Sequence, residues 1–216
     1  CINDINAIGN IAHAKKIPFH TDAVQLFGKY KIPLIKNRID AISMSFHKIY
    51  GPMGLGMLII SNELINGYDL KGQISGTQQN ALRGGTENVP SIASGVAAVK
   101  ATFINRDEKN KKMYIQKKQI IFELEKVLHK GSYKTYFGKK KPTINEFLVL
   151  GPDSNNSYKK PNVLPNTLLL CFVKNIHFPK EGYRPFCNVD LKKSLNRKNI
   201  IVSVGSACTT SNKEAS

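Results

Sequence analysis

Three side chains in this chain have the type and setting to do chemistry: Lys48, Asp22 and Cys208. Lys48 follows an alternating run, Ile42-Ser43-Met44-Ser45-Phe46, with His47 just before it. Behind it, in "SMSFHKIYGPMGLGML", comes a turn holding Gly51, Pro52, Gly54 and Gly56, too small to block access. A lysine at the mouth of a strand can reach the C-terminal edge of a sheet, where doubly wound folds bind ligands. If desolvated there, it loses part of its preference for the proton and becomes a nucleophilic amine, able to form a Schiff base. The plainer reading is a solvated lysine. Asp22 closes the preceding run, "IPFHTD", so parallel strands would bring it to the edge that carries Lys48. Its plainer reading is a helix-cap or turn aspartate. Cys208 sits in "SVGSACTTSN", where Gly205 and small polar neighbours make a loop that suits a reactive thiolate.

The lysine and the carboxylate form a pair that pyridoxal 5'-phosphate uses. Lysine carries the aldehyde, and a carboxylate keeps the ring nitrogen protonated so that the ring acts as an electron sink. Gln25, three residues after Asp22, could donate a hydrogen bond to the phenolic oxygen. Ser45 and His47 flank the lysine with two side chains able to bind phosphate.

These residues need a sheet to hold them. Residues 5 to 16, "INAIGNIAHAKK", put Ile5, Ile8, Ile11 and Ala12 on one helical face. "IPFHTDAV" reads as a short strand, "AVQLFGKYKIPL" as a loop bending at Gly28, and "IDAISMSF" and "LGMLIIS" as two more strands. Helix and strand over short connections predict an α/β fold with a mainly parallel, doubly wound sheet and flanking helices. Residues 71 to 86 are a polar, glycine-rich loop. From Asn88 to Leu128 the pattern is helical, as two helices or one bent helix. Then "NTLLLCFV" reads as a strand, "CNVDLKKSLNRK" as a helix and "IIVSV" as a strand. This predicts a larger domain over 1–100, a connecting helix over 100–130, and a smaller α/β domain over 131–216 that carries the Cys208 loop.

Composition narrows the choice. The chain has 216 residues with 41% hydrophobic, enough for a sizeable core. No run approaches the roughly 18–20 apolar residues that span a bilayer, and the opening "CINDINAIGN" does not read as a secretory signal. The net charge of +17 comes from lysine-rich runs that are scattered. They lack interleaved aromatics and any recognition-helix or zinc-finger spacing, so no specific nucleic-acid binding is expected. The four cysteines, at 1, 171, 187 and 208, show neither disulfide nor zinc spacing, which points to a reduced, intracellular and by default cytoplasmic setting. Cys171, inside "TLLLCFV", reads as a small core residue.

Four stretches occur in order: "FHTDAVQ" followed by Gly28-Lys29, "DAISMSFHKIYGPMGLGML", "LRGGTENVPSIASG" and "VSVGSAC". Together they resemble the cysteine desulfurases of the NifS/IscS type, in the class V aminotransferase group of fold-type I pyridoxal-phosphate enzymes. The likeness runs from about residue 5 to the C-terminus and is weakest between residues 105 and 160. It implies that residues 1–100 are the C-terminal part of the large cofactor-binding domain, in a chain truncated at its N-terminus and near its C-terminus. It implies Lys48 as the cofactor lysine and proton carrier, Asp22 at the ring nitrogen, Gln25 at the phenolic oxygen, and Ser45 and His47 at the phosphate. Thr86 would reach the phosphate of a second subunit, hence a homodimer, and Cys208 would be the nucleophile. The implied reaction turns L-cysteine into L-alanine and leaves a persulfide for a sulfur-acceptor protein, an iron-sulfur scaffold or a tRNA-thiolation factor. Two alternatives stay open: another class V enzyme, such as a selenocysteine lyase, and a catalytically incomplete binding or partner subunit.

Overall fold

A computed structural model of the chain describes residues 2–130, 146–150, 162–173 and 188–204. The elements are α1 (Ile5–Ala14), β1 (His20–Asp22), β2 (Ala41–Ser45), a 3₁₀ turn (Phe46–Ile49), β3 (Gly56–Ile60), α2 (Asn62–Gly67), α3 (Val89–Phe103), α4 (Arg106–Glu125), β4 (His129–Lys130), β5 (Glu146–Leu150), β6 (Leu169–Val173) and α5 (Asn188–Asn196). They form two compact units. One runs to Lys117 and includes the stretch ending at Thr167; the other starts at Lys118 and includes the stretch from Leu168.

The first unit is built on the sheet β1-β2-β3. β1 and β2 are parallel, with Asp22 opposite Ser43. β2 and β3 are antiparallel, with Ser45 opposite Gly56. The α/β class holds, with β3 as the antiparallel member of this sheet. The physical reason is the length of the second connection. A parallel return needs a crossover of about a dozen residues or more, and the short segment 46–55 turns the chain back instead.

The core lies under one face of this sheet, where Ala23, Phe27, Ile39, Ile42, Met44, Phe46 and Ile49 pack together. Ile42 is 1% exposed. Phe27 meets the edge of Phe46 at 6.2 Å between ring centres and Phe103 at 6.4 Å. α3 closes this core. Asn88 caps it by accepting from the Ser91 N–H at 3.2 Å, and Pro90 lies in its first turn, where a missing N–H costs nothing. Gly95 is buried because any side chain there would collide with Leu55 and Phe46. Thr102 donates its hydroxyl to the Ile49 carbonyl at 3.3 Å, tying α3 to the 3₁₀ turn.

The helical stretch after Asn88 resolves into two helices. They part at Ile104, which is extended, and Asn105, whose φ of 52° is left-handed. The chain passes from the first unit to the second within α4, between Lys117 and Lys118. α4 begins with Asp107 and Glu108, carboxylates that suit the positive end of the helix dipole. α1 is capped by Asp4, which accepts from Ala7 N–H at 3.0 Å. Its apolar face is only partly covered: Ile5 packs against the core, while Ile8 and Ile11 are exposed.

The second unit has its own sheet, β4-β5-β6. β4 runs parallel to β5, and β5 antiparallel to β6 with Leu148 opposite Cys171. Phe147 is 0% exposed. "IIVSV" is not a strand, contrary to its composition. Asn199 turns left-handed with φ 58°, and Ile201 is left 92% exposed, with no strand pairing among the described residues. Among the described residues no helix is long and apolar enough to cross a membrane.

Candidate active site

The edge at which β1 and β2 end collects most of the singled-out residues. The parallel register sets Asp22 beside Ser43, and two residues later Ser45 ends β2. Side chains alternate along a strand, so Ser43 and Ser45 share the face opposite to Ile42 and Met44, which enter the core. Two hydrogen bonds mark the polar face. His20 Nε2 and Ser43 Oγ lie 2.7 Å apart, as do Ser45 Oγ and His47 Nδ1. The sheet therefore has a greasy side and a side that carries hydroxyls, imidazoles and a carboxylate.

The turn that follows holds His47 and Lys48, both exposed. It is closed by a 2.8 Å bond from the Gly51 N–H to the Phe46 carbonyl. A side chain at Gly51 would press on that carbonyl at 2.9 Å, so glycine is needed for the close approach. Tyr50 ends the turn in the left-handed region, φ 65°.

Asp22 behaves locally as a turn aspartate. Its Oδ1 accepts from the Val24 N–H at 2.8 Å, the plainer reading from the sequence. Oδ2 has no partner among the described residues and is available to a ligand. Gln25 is exposed and takes part through its backbone carbonyl, which accepts from Lys29 Nζ at 2.9 Å.

Lys48 and Asp22 line different hollows. Lys48 lines a cleft of about 730 Å³, with Lys29 beside it. Asp22 and Gln25 line a smaller one of about 390 Å³. The strand edge brings them to the same end of the sheet, but no single pocket encloses both, because Asp22 stands exposed on the sheet's polar face.

Thr86 lies exposed in the loop after Gly84 and Gly85, and lines neither hollow. This loop is a tight backbone structure. Gly84 N–H donates to the Ile74 carbonyl at 2.9 Å, and Gly85 N–H to Gln78 Oε1 at 3.1 Å. Cys208 lies outside the described residues.

Two residues join the site that sequence reasoning passed over. His20 is placed beside Asp22 by its bond to Ser43; the clue was its position two residues before Asp22 on a period-two strand. Lys29 stands near enough to Lys48 to feel its charge. Burial, and secondarily the Lys48 ammonium, hold its pKa below the ordinary lysine value. The only hint in the sequence was the Gly28-Lys29 pair.

The donor set suits pyridoxal phosphate. A hydroxyl and an imidazole paired at 2.7 Å can serve a phosphate, the adjacent Lys48 amine an aldehyde, and the Asp22 carboxylate a pyridinium N–H. Among the described residues no group of His, Cys, Asp or Glu is placed to hold a metal ion.

Comparison with known proteins shows the family of the chain. Residues 1–154 match the aminotransferase class-V family. Across 220 aligned residues the chain is 30% identical to the cysteine desulfurase IscS of Dictyoglomus turgidum, covering 100% of this chain and 45% of the relative. It is 42% identical to the cysteine desulfurase IscS of Plasmodium falciparum over 118 residues, which is 50% of this chain and 20% of that one. A NifS-like protein from Rickettsia africae has the same fold, with a TM-score of 0.65 at 26% identity, over 94% of this chain and 46% of its own. The chain thus spans less than half the length of the relatives it matches along most of its extent. With a strand edge that gathers a lysine, an aspartate and a serine-histidine pair, and a family match over most of its residues, the chain belongs to the aminotransferase class-V family.

Proposed function

We propose that the intact protein is a pyridoxal-phosphate-dependent cysteine desulfurase that converts L-cysteine to L-alanine and passes the sulfur on through Cys208. The observation that carries this reading is the polar edge of the β1-β2 pair, where Asp22, Ser45, His47 and Lys48 follow one another. The cysteine desulfurases it resembles support the choice of substrate.

When bound, the cofactor supplies an electron sink that acidifies the substrate's Cα–H and loosens its Cβ–S bond. The chain's residues do the rest. Lys48 Nζ would hold the aldehyde and would be the base that takes the proton from the substrate's Cα. Asp22 Oδ2 keeps the ring nitrogen protonated, and Gln25 orients the ring at its phenolic oxygen. Ser45 and His47 hold the phosphate with charge-assisted bonds. The Cys208 thiolate attacks the substrate sulfur. The S–S bond forms as the C–S bond breaks, and Cβ takes a proton to give alanine.

The same reading makes the protein a homodimer in which Thr86 serves the neighbouring subunit's phosphate. The persulfide is handed to an acceptor protein, an iron-sulfur scaffold or a tRNA-thiolation factor. A reducing, intracellular compartment suits a nucleophilic thiol.

One observation favours a second reading for the 216-residue chain alone. Lys48 and Asp22 line separate hollows, so this chain by itself would be catalytically incomplete. The test is to supply the intact protein with L-cysteine and pyridoxal phosphate, then trap thiols with an alkylating agent. Alanine formation together with a persulfide adduct on Cys208 supports the desulfurase. Alanine formation that continues unchanged in Cys208→Ser, with no adduct, refutes the role of that thiol.

A further inference from the structure

Apart from Lys48 itself, the residues of the cleft that Lys48 lines are left unused by the desulfurase reading. Its walls come from the Gly28 turn, the 3₁₀ turn after β2, and facing stretches of α3 and α4. Five cationic residues line it: Lys29, Lys48, Arg106, Lys109 and Lys112. No Asp or Glu is among the described residues that line it. The helical spacing explains the convergence: Arg106, Lys109 and Met113 share one side of α4, while Lys111 lies off it.

Some of this charge is already engaged. Arg106 is paired with Asp107 at 2.9 Å and lies over the Phe103 ring at 5.5 Å. Lys29 Nζ donates to the Gln25 carbonyl, and Lys109 Nζ to the Ala101 carbonyl at 3.1 Å. Neutral carbonyls cancel no charge. Lys48, Lys109 and Lys112 form no salt bridge among the described residues. The consequence is visible at Lys29, whose proton affinity falls through burial and through repulsion from Lys48. Like charges gathered without a counter-charge favour an anion between them. The apolar wall of Ala97, Ala98, Ala101 and Met113 lowers the local dielectric and strengthens that attraction. The volume of about 730 Å³ lies in the range of small-ligand sites.

We infer that this cleft is a binding site for a small multivalent oxyanion of the phosphate class, separate from the cofactor's own phosphate subsite at Ser45 and His47. With Lys48 taken by the cofactor, Lys29 of the Gly28 turn and Lys109 and Lys112 of α4 still converge there as cations, whereas Ser45 and His47 do not line it.

The test is calorimetric titration of the intact, cofactor-loaded protein with inorganic pyrophosphate at low ionic strength. The double variant Lys109→Gln/Lys112→Gln should bind pyrophosphate about tenfold or more weakly. Lys100→Gln/Lys111→Gln removes the same charge at one position each on α3 and α4, outside the cleft, and should change the affinity by less than about twofold. All four lysines are exposed, so folding is not at issue. Equal losses in the two double variants would mean attraction to the +17 charge as a whole and would overturn the site. So would an absence of binding to the wild-type protein, or binding that disappears once the cofactor is loaded, which would merge the cleft with the cofactor's own site.

Discussion

The two sheets of this chain share one plan: a first strand parallel to a second, and a third antiparallel to the second. They differ in what the middle strand presents. β2 alternates, with Ile42 and Met44 in the core and Ser43 and Ser45 on the other face. β5 places Phe147 and Leu148, neighbours pointing to opposite faces, both in buried positions. At Phe147 and Leu148 neither face of β5 offers a polar group to a ligand. A strand that keeps a polar face and ends beside a turn can carry chemistry. Their nucleophiles reflect this. Lys48 opens onto a cleft, while the Cys171 thiol on β6 is pushed up in pKa by burial and stays protonated.

The contrast is sharpened by substitutions, beginning with the largest effect. Lys48→Ala should cut sulfur release by at least about a hundredfold, since the proposed mechanism makes Lys48 both the cofactor anchor and the proton carrier. Because Lys48 is exposed, its urea midpoint should stay at the wild-type value. In the other sheet the pattern reverses. Phe147→Ala should cost about 3–5 kcal/mol of stability in urea unfolding, the usual loss for emptying a fully buried aromatic site. A loss under 1 kcal/mol would show that β5 is not the core strand described.

Ser45→Ala is milder. It should weaken cofactor binding roughly tenfold, about 1.5 kcal/mol for a hydrogen bond to a charged group. Its stability should change by no more than about 0.5 kcal/mol, as is usual away from the core. A titration of the apo protein with pyridoxal phosphate, followed by absorbance, reads the first quantity. The smallest effect belongs to Cys171. Its raised pKa predicts slow alkylation by iodoacetamide at neutral pH, at a rate still climbing beyond the ordinary thiol value of 9.0. Cys171→Ala should leave sulfur release unchanged. Fast modification at neutral pH would contradict the burial argument.

How far the sequence carried this account varied with the range of the forces involved. β2, the turn and β3 were legible because alternation, glycine and a short connection are local properties. β5 was not. "EFLVL" is a short apolar run with no alternation, and such runs look alike in a buried strand and a buried helix. "IIVSV" misled in the opposite way, since β-branched residues favour a strand only when another strand is there to pair with. Within the site, spacing set Asp22 and Lys48 at one strand edge with Ser45 and His47 beside the lysine, and their expected roles came from the resemblance. The His20–Ser43 bond and the approach of Lys29 to Lys48 depend on register and burial, which a linear pattern does not contain.

Lys29 also makes the central claim easy to test. It lies beside Lys48, and its lowered pKa makes it the natural rival for an aldehyde. The intact protein should be loaded with pyridoxal phosphate, reduced with borohydride to fix the cofactor on its lysine, digested, and mapped by mass spectrometry. The account predicts the pyridoxyl label on Lys48; a label on Lys29, or spread evenly over surface lysines, would contradict it.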